Sequence, residues 1–272
     1  MRFTGNCLIL LGFTFIWACN PSSKKEGNAE KSVALSVGKK SHEVFGMCDT
    51  ISNKGVSVHI NMWYPSDSSA VSKNISKELH EKLVERINSY ADSASIASNP
   101  GARKSVKDAY EVFARNYTDF KKEFPDAPGC WEVELTGDTV MVTPKVLLYQ
   151  LDHYAFTGGA HPNSFKSLHI FDGKTGEEKE MKTFVADSAA LLRKAEIAFR
   201  KVEKLKTDVN LEEEGYFLKN NQFFLPANYI FTRKGVLFYY NPYEIAPYVK
   251  GAIEFVIPYE ELGGIVKKEL VF

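Results

Sequence analysis

One stretch constrains the chain more than any other: Lys145 to Asp172, KVLLYQLDHYAFTGGAHPNSFKSLHIFD. Two apolar-rich runs, Val146–Phe156 and Phe165–Phe171, flank Thr157-Gly158-Gly159-Ala160-His161-Pro162. Tyr, Phe, Leu, Ile and Val dominate both runs, the composition of strands bounded by turn residues. Paired glycines open backbone angles closed to other residues, and Pro162 fixes its own φ. We read the stretch as a sheet centre with a shaped loop at its tip, and expect Gly158, Gly159, His161 and Pro162 to form part of a binding surface.

The flanking sequence sorts into strands and helices by period. Val56–Tyr64 alternates apolar and polar residues, as a strand does. Ile75, Leu79, Leu83, Ile87, Ala91 and Ala94 recur at helical spacing, and Asn99-Pro100-Gly101 breaks that helix. A second helix carries Val106, Ala109, Tyr110, Phe113, Tyr117, Phe120 and Phe124 on one stripe and stops at Pro125, because the residue before proline disfavours helix. Trp131, Val133 and Leu135 alternate, then Val140 and Val142; with Thr136-Gly137-Asp138 between them this reads as a hairpin. Asp187 can cap a third helix whose inward face is Leu191, Ala195, Ala198, Phe199, Val202 and Leu205. The last third holds strand pieces at 223–225, 229–232, 236–240 and 253–257. Runs of strands with segregated helices predict an α+β fold: a mainly antiparallel sheet with two or three helices packed on it. Two halves, about 41–160 and 161–272, meet inside the central pair of runs and are expected to share one sheet.

The first residues carry an address. Arg2 precedes Cys7–Ala18, an apolar run free of charge and too short to span a bilayer, which is the pattern of a secretory signal over residues 1–18. Ile16-Trp17-Ala18-Cys19 resembles the lipobox of bacterial lipoproteins, with Trp17 in place of the usual small residue. That resemblance implies a lipid on Cys19, hence a membrane partner, with residues 19–40 as a flexible, polar tether. An exported, membrane-anchored protein of the cell envelope, periplasmic or surface-facing, is the expected setting. Cys48 and Cys130 then remain. Each precedes a candidate strand, and in an oxidising compartment either a disulfide between them or two buried thiols fits the spacing.

Three stretches together resemble a known arrangement. They are Gly158-Gly159-Ala160-His161-Pro162; Phe171-Asp172 with Thr175-Gly176; and Gly235-Val236-Leu237-Phe238-Tyr239 running into Pro242-Tyr243-Glu244-Ile245-Ala246-Pro247-Tyr248, Gly251 and Ile257-Pro258. Their order and spacing are similar to the extracytoplasmic domain of the anti-sigma factor RsiV and the non-catalytic N-terminal domain of the peptidoglycan deacetylase PdaC. The resemblance implies an outer binding or sensing module, with peptidoglycan glycan or a lysozyme-like protein as the ligand. No sigma-binding segment precedes the apolar run and no deacetylase domain follows, so neither of those activities is expected to transfer. An envelope enzyme acting on peptidoglycan and a structural lipoprotein without a small ligand are the alternatives.

The chemistry in the sequence is sparse. The 34 Lys plus Arg balance 34 Asp plus Glu, which argues against nucleic acid, whose partners need a basic surface. No G-x-S-x-G, paired active cysteine or H-E-x-x-H is present, and no cofactor is implied. His161 is the one candidate acid or base, with Asp152 or Glu244 as carboxylates; the simpler expectation is that it holds its loop by bonding backbone carbonyls. His153 and His169 lie equally far from His161, so a symmetric hairpin would set them opposite each other as metal ligands. The simpler expectation is two exposed strand histidines and no metal. Tyr243 and Tyr248, flanked by Pro242 and Pro247, are the best candidates for a recognition surface, since tyrosine offers flat area and a hydroxyl.

Overall fold

The computed structural model describes Met1 and residues 35–272 other than 50, 53 and 128. The expected signal peptide, the acylated Cys19 and most of the expected tether lie outside the described residues. The fold opens with a long antiparallel hairpin, β1 (Gly38–Asp49) on β2 (Lys54–Pro65), paired along its whole length. Gly38–Lys40 thus belong to a strand, not to the tether as expected. β1 has no alternating apolar face because it is a sheet edge held by ladder hydrogen bonds, and its lysines discourage pairing with other chains.

β2 leads into α1 (Ala70–Asn88), α2 (Ser93–Ser98) and α3 (Val106–Glu123) before the chain returns as β3 (Trp131–Val142), parallel to β2. Parallel neighbours need such a crossover. Each helix starts on a side-chain cap, from Ser69, Asp92 and Ser105. Ala91 and Ala94 fall beyond the end of α1, since Asp92 starts a new helix. The expected hairpin at 131–142 is instead one continuous strand. Gly137 makes no turn. It leaves room for Tyr149, because a Cβ there would overlap the Tyr149 hydroxyl and the Met62 sulfur.

β4 (Val146–Phe156) and β5 (Asn163–Asp172) complete a five-stranded sheet of order β1-β2-β3-β4-β5, antiparallel except for β2–β3. α4 (Ser188–Val202), capped by Asp187, precedes a second, antiparallel sheet of β6 (Asn228–Phe231), β7 (Gly235–Tyr240) and β8 (Ile253–Pro258). The single shared sheet expected from sequence is therefore two. The second edge of β5 joins no named strand: the Asn228 and Asn241 side chains each both donate to and accept from its backbone, and near its end the backbone of Glu177 and Lys179 bonds Asp172 and Ile170. Residues 223–225 form no strand; Phe223 packs its ring against Phe199 and Tyr240.

The fold class is α+β. Two cores meet on β4. Leu147, Tyr149 and Leu151 face Ile75, Leu79, Leu83 and Phe113 of α1 and α3. Val146 and Leu148 face Phe199 of α4 and Ile230, Phe238 and Phe255 of the second sheet. That two-sided burial explains why the run is apolar almost without interruption. A Cys48–Cys130 disulfide, with Cα atoms 5.6 Å apart, joins the end of β1 to the start of β3.

Candidate functional site

The loop between β4 and β5 carries Gly158 and Gly159 at φ +93° and +101°. Little surrounds either position, so it is the backbone angle that calls for glycine. The loop delivers His161 half-buried, with Nδ1 3.2 Å from the Pro162 carbonyl. A second loop follows β7. There Glu244 accepts the backbone N–H of Ala227 at 2.6 Å and of Asn241 at 2.8 Å, while the Asn241 amide clamps Lys166 of β5. Held this way, Tyr243 sits at φ +67°, a conformation that costs a non-glycine residue about 1 kcal/mol or more.

The two loops meet. The His161 imidazole stacks on Tyr248, with ring centroids 4.0 Å apart and planes within 10°, and its Nε2 lies 3.2 Å from the Tyr243 hydroxyl. Tyr243 and Tyr248 are themselves 5.5 Å apart. Tyr243 is 52% exposed, so this aromatic trio is open to solvent on one side. Beside it lies a cavity of about 320 Å³ whose walls include Arg86, Tyr90, Phe165, Asn163, Asn241 and both tyrosines. Four residues flagged by sequence, His161, Pro162, Tyr243 and Tyr248, thus converge, with Gly158 and Gly159 shaping the approach. Arg86 and Tyr90 were not foreseen. Arg86 lies one turn beyond Lys82 beside the apolar stripe of α1, and Tyr90 follows two residues past the helix end.

A second polar group lies under α1. His153 is 4% exposed and stacks on Phe165 at 4.3 Å. Its Nε2 is 3.3 Å from the Ser167 hydroxyl, which is 2.9 Å from His169 Nε2; His169 Nδ1 in turn meets Glu178 at 2.6 Å, and Lys82 pairs with Glu178 at 2.7 Å. Burial, then the charges of Arg86 and His169, push the His153 imidazole down to about 3. Neither reading of the two histidines holds: they are not set opposite each other as metal ligands, and they are not exposed. The hairpin is centred before His161, so His153 pairs with Phe165 and His169 with Tyr149, and α1 covers both. Among the described residues no three His, Cys, Asp or Glu side chains are grouped to hold a metal. Asp152 accepts from Gln150, and both Glu244 oxygens are occupied by backbone, so neither carboxylate is poised beside His161.

Residues 51–164 match the family model described as Deacetylase PdaC, and residues 179–260 match the one described as a protein of unknown function, DUF3298. The chain thus matches one model in its first part and the other in its second. A DUF3298 family protein from Pseudomonas aeruginosa has the same fold with a TM-score of 0.60 at 21% identity, covering 86% of this chain and 95% of its own. A DUF3298 family member from Bacteroides fragilis gives 0.62 at 20%, covering 85% and 92%. Among curated proteins no sequence matches the chain. The PdaC segment supplies His161, Arg86 and Tyr90; the DUF3298 segment supplies Tyr243 and Tyr248. The aromatic trio therefore exists only where the two segments meet.

Proposed function

We propose that this is a lipid-anchored cell-envelope protein that binds peptidoglycan glycan in the cleft beside His161, Tyr243 and Tyr248. The observation that carries the reading is the convergence of two tyrosines and a histidine, from both matched segments, on a cavity of about 320 Å³. Aromatic faces cover the apolar faces of pyranose rings, and amides such as Asn163 and Asn241 can bond hydroxyl and acetamido groups. The Cys48–Cys130 disulfide supports an oxidising compartment, and the lipobox-like Ile16–Cys19 supports the anchor. A binding role is favoured by the engagement of Asp152 and Glu244, the carboxylates considered for catalysis, away from His161.

Sedimentation with insoluble cell wall tests this reading. The full mature chain should co-sediment, and Tyr248→Ala should weaken binding at least 10-fold by removing the ring against which His161 stacks. Undiminished binding by that variant would place the ligand elsewhere. A lysozyme-like protein is the second reading, favoured by the exposed Tyr243 and Val249 on the same loop, which offer an apolar tip to a protein surface. Capture of lysozyme with no retention on cell wall would select it. Radioactive palmitate incorporation, lost in Cys19→Ala, tests the anchor.

A further inference from the structure

Among the described residues Arg86 makes no close ion pair. Its guanidinium lies 3.9 Å over the Phe165 ring, and its Nε is enclosed with no hydrogen-bond partner. Other partly buried cations differ: Lys82 pairs with Glu178 at 2.7 Å, and Arg200 with Glu196 at 2.8 Å. Glu85, one residue back on α1, is exposed and acts on Arg86 only through its charge, with no close ion pair between them. Burial weakens the hold of the guanidinium on its charge, and Tyr90 and Glu85 offset this only in part. A partly desolvated charge left unpaired is costly unless something completes it.

Arg86 also occupies a particular place. It lines the aromatic cleft of about 320 Å³ and a smaller pocket of about 90 Å³ walled by His153, Ser167 and His169. His153 is more than nine-tenths buried, and its Nδ1 is likewise without a partner. Two orphaned nitrogens therefore belong to side chains stacked on one phenylalanine ring, where the two cavities adjoin. Among the described residues no carboxylate lines the larger cavity, whereas Glu85 and Lys82 line the smaller one.

We propose that Arg86 receives a carboxylate of the ligand, so that the cleft takes an acidic saccharide in preference to a neutral one. This deepens the glycan reading above and rests on it. A guanidinium fork matches a carboxylate in shape and charge, and the aromatic trio would hold the sugar ring while Arg86 holds the acid. In a wall glycan the acid sits on the lactyl ether of alternate sugars, free or carried onward as a peptide carboxylate.

The test compares three probes on the full chain by isothermal titration at low salt. They are the neutral disaccharide di-N-acetylchitobiose, the disaccharide of N-acetylglucosamine and N-acetylmuramic acid with a free lactyl carboxylate, and the same disaccharide bearing a stem peptide. We expect at least one acidic probe to bind 10-fold or more tightly than the neutral one, the two acidic arms showing which carboxylate is read. Arg86→Gln should abolish that preference, bringing the acidic probes to the affinity that the same variant shows for chitobiose, and Tyr248→Ala should weaken all three. In the unmutated protein the Arg86 Nε–H resonance should shift with the preferred acidic probe and not with chitobiose, which tests the contact even if the variant folds poorly. Equal affinity for all three probes, or a preference that survives Arg86→Gln, overturns the proposal and leaves the glycan reading standing. Failure of every probe to bind overturns both.

Discussion

His153 shows how a residue's surroundings set its chemistry. Its ordinary value of 6.5 falls to about 3 because burial, Arg86 and His169 all disfavour the imidazolium. Below pH 6.5 the unfolded chain takes up a proton that the folded chain refuses. The stability contributed is therefore complete above about 6.5 and drains away as pH falls toward 3. Glu178, in the same network, works lower. Burial alone would raise its carboxyl, but hydrogen bonds from His169 and Lys82 hold it down to about 2 against an ordinary 4.5. Its contribution is present above 4.5 and is lost as pH falls toward 2. Of the two groups only His153 acts between pH 6.5 and 4.5. Urea unfolding at those two pH values should show the native protein losing about 2 kcal/mol more than His153→Gln does. Equal losses would mean that the imidazole is protonated in the fold.

At the scale of elements, glycine separates two mechanisms. Gly137, in mid-strand, lies against the Tyr149 ring, so Gly137→Ala must push a buried aromatic aside and should cost about 2 kcal/mol. Gly159 has open space where a Cβ would go, so Gly159→Ala meets only the strain of φ +101° and should cost about 1 kcal/mol. Denaturant midpoints of the two variants measure the difference; a larger loss at Gly159 would reverse the assignment. The same glycine marks the limit of what the sequence could tell. β4 and β5 were legible because strand-forming residues run unbroken between turn residues, and the stripes of α1 and α3 because burial repeats at helix period. Gly137 looked like a turn because a glycine that admits a distant ring leaves the same local signature as one that reverses the chain. β1 was invisible because an edge strand needs no apolar face. His161, Tyr243 and Tyr248 could be named from their loops, but their stacking depends on Asn241 and Glu244 docking one loop against β5. Arg86 was missed because its significance lies in a partner it lacks.

At the scale of the molecule, one covalent bond encloses most of the crossover. Cys48 and Cys130 are 82 residues apart, and α1, α2, α3 and β2 all lie between them. Loop closure of that length removes chain entropy from the unfolded state, worth about 4 kcal/mol in the chain-entropy account. The bond also fastens an edge strand that buries little apolar surface of its own. The cleft draws Arg86 and Tyr90 from inside this closed loop and His161, Tyr243 and Tyr248 from outside it, so the stability of the loop and the integrity of the site are linked. Cys48→Ala/Cys130→Ala should therefore unfold about 4 kcal/mol more easily by urea, and hydrogen exchange should quicken first in β1. Because α1 also packs on β4 through Leu79 and Leu83, the folded fraction of the variant should still bind ligand with native affinity. A variant as stable as the native chain would show that the unfolded state is already confined without the bond. Lost affinity in the folded variant would show that the crossover needs the bond to hold Arg86 in place.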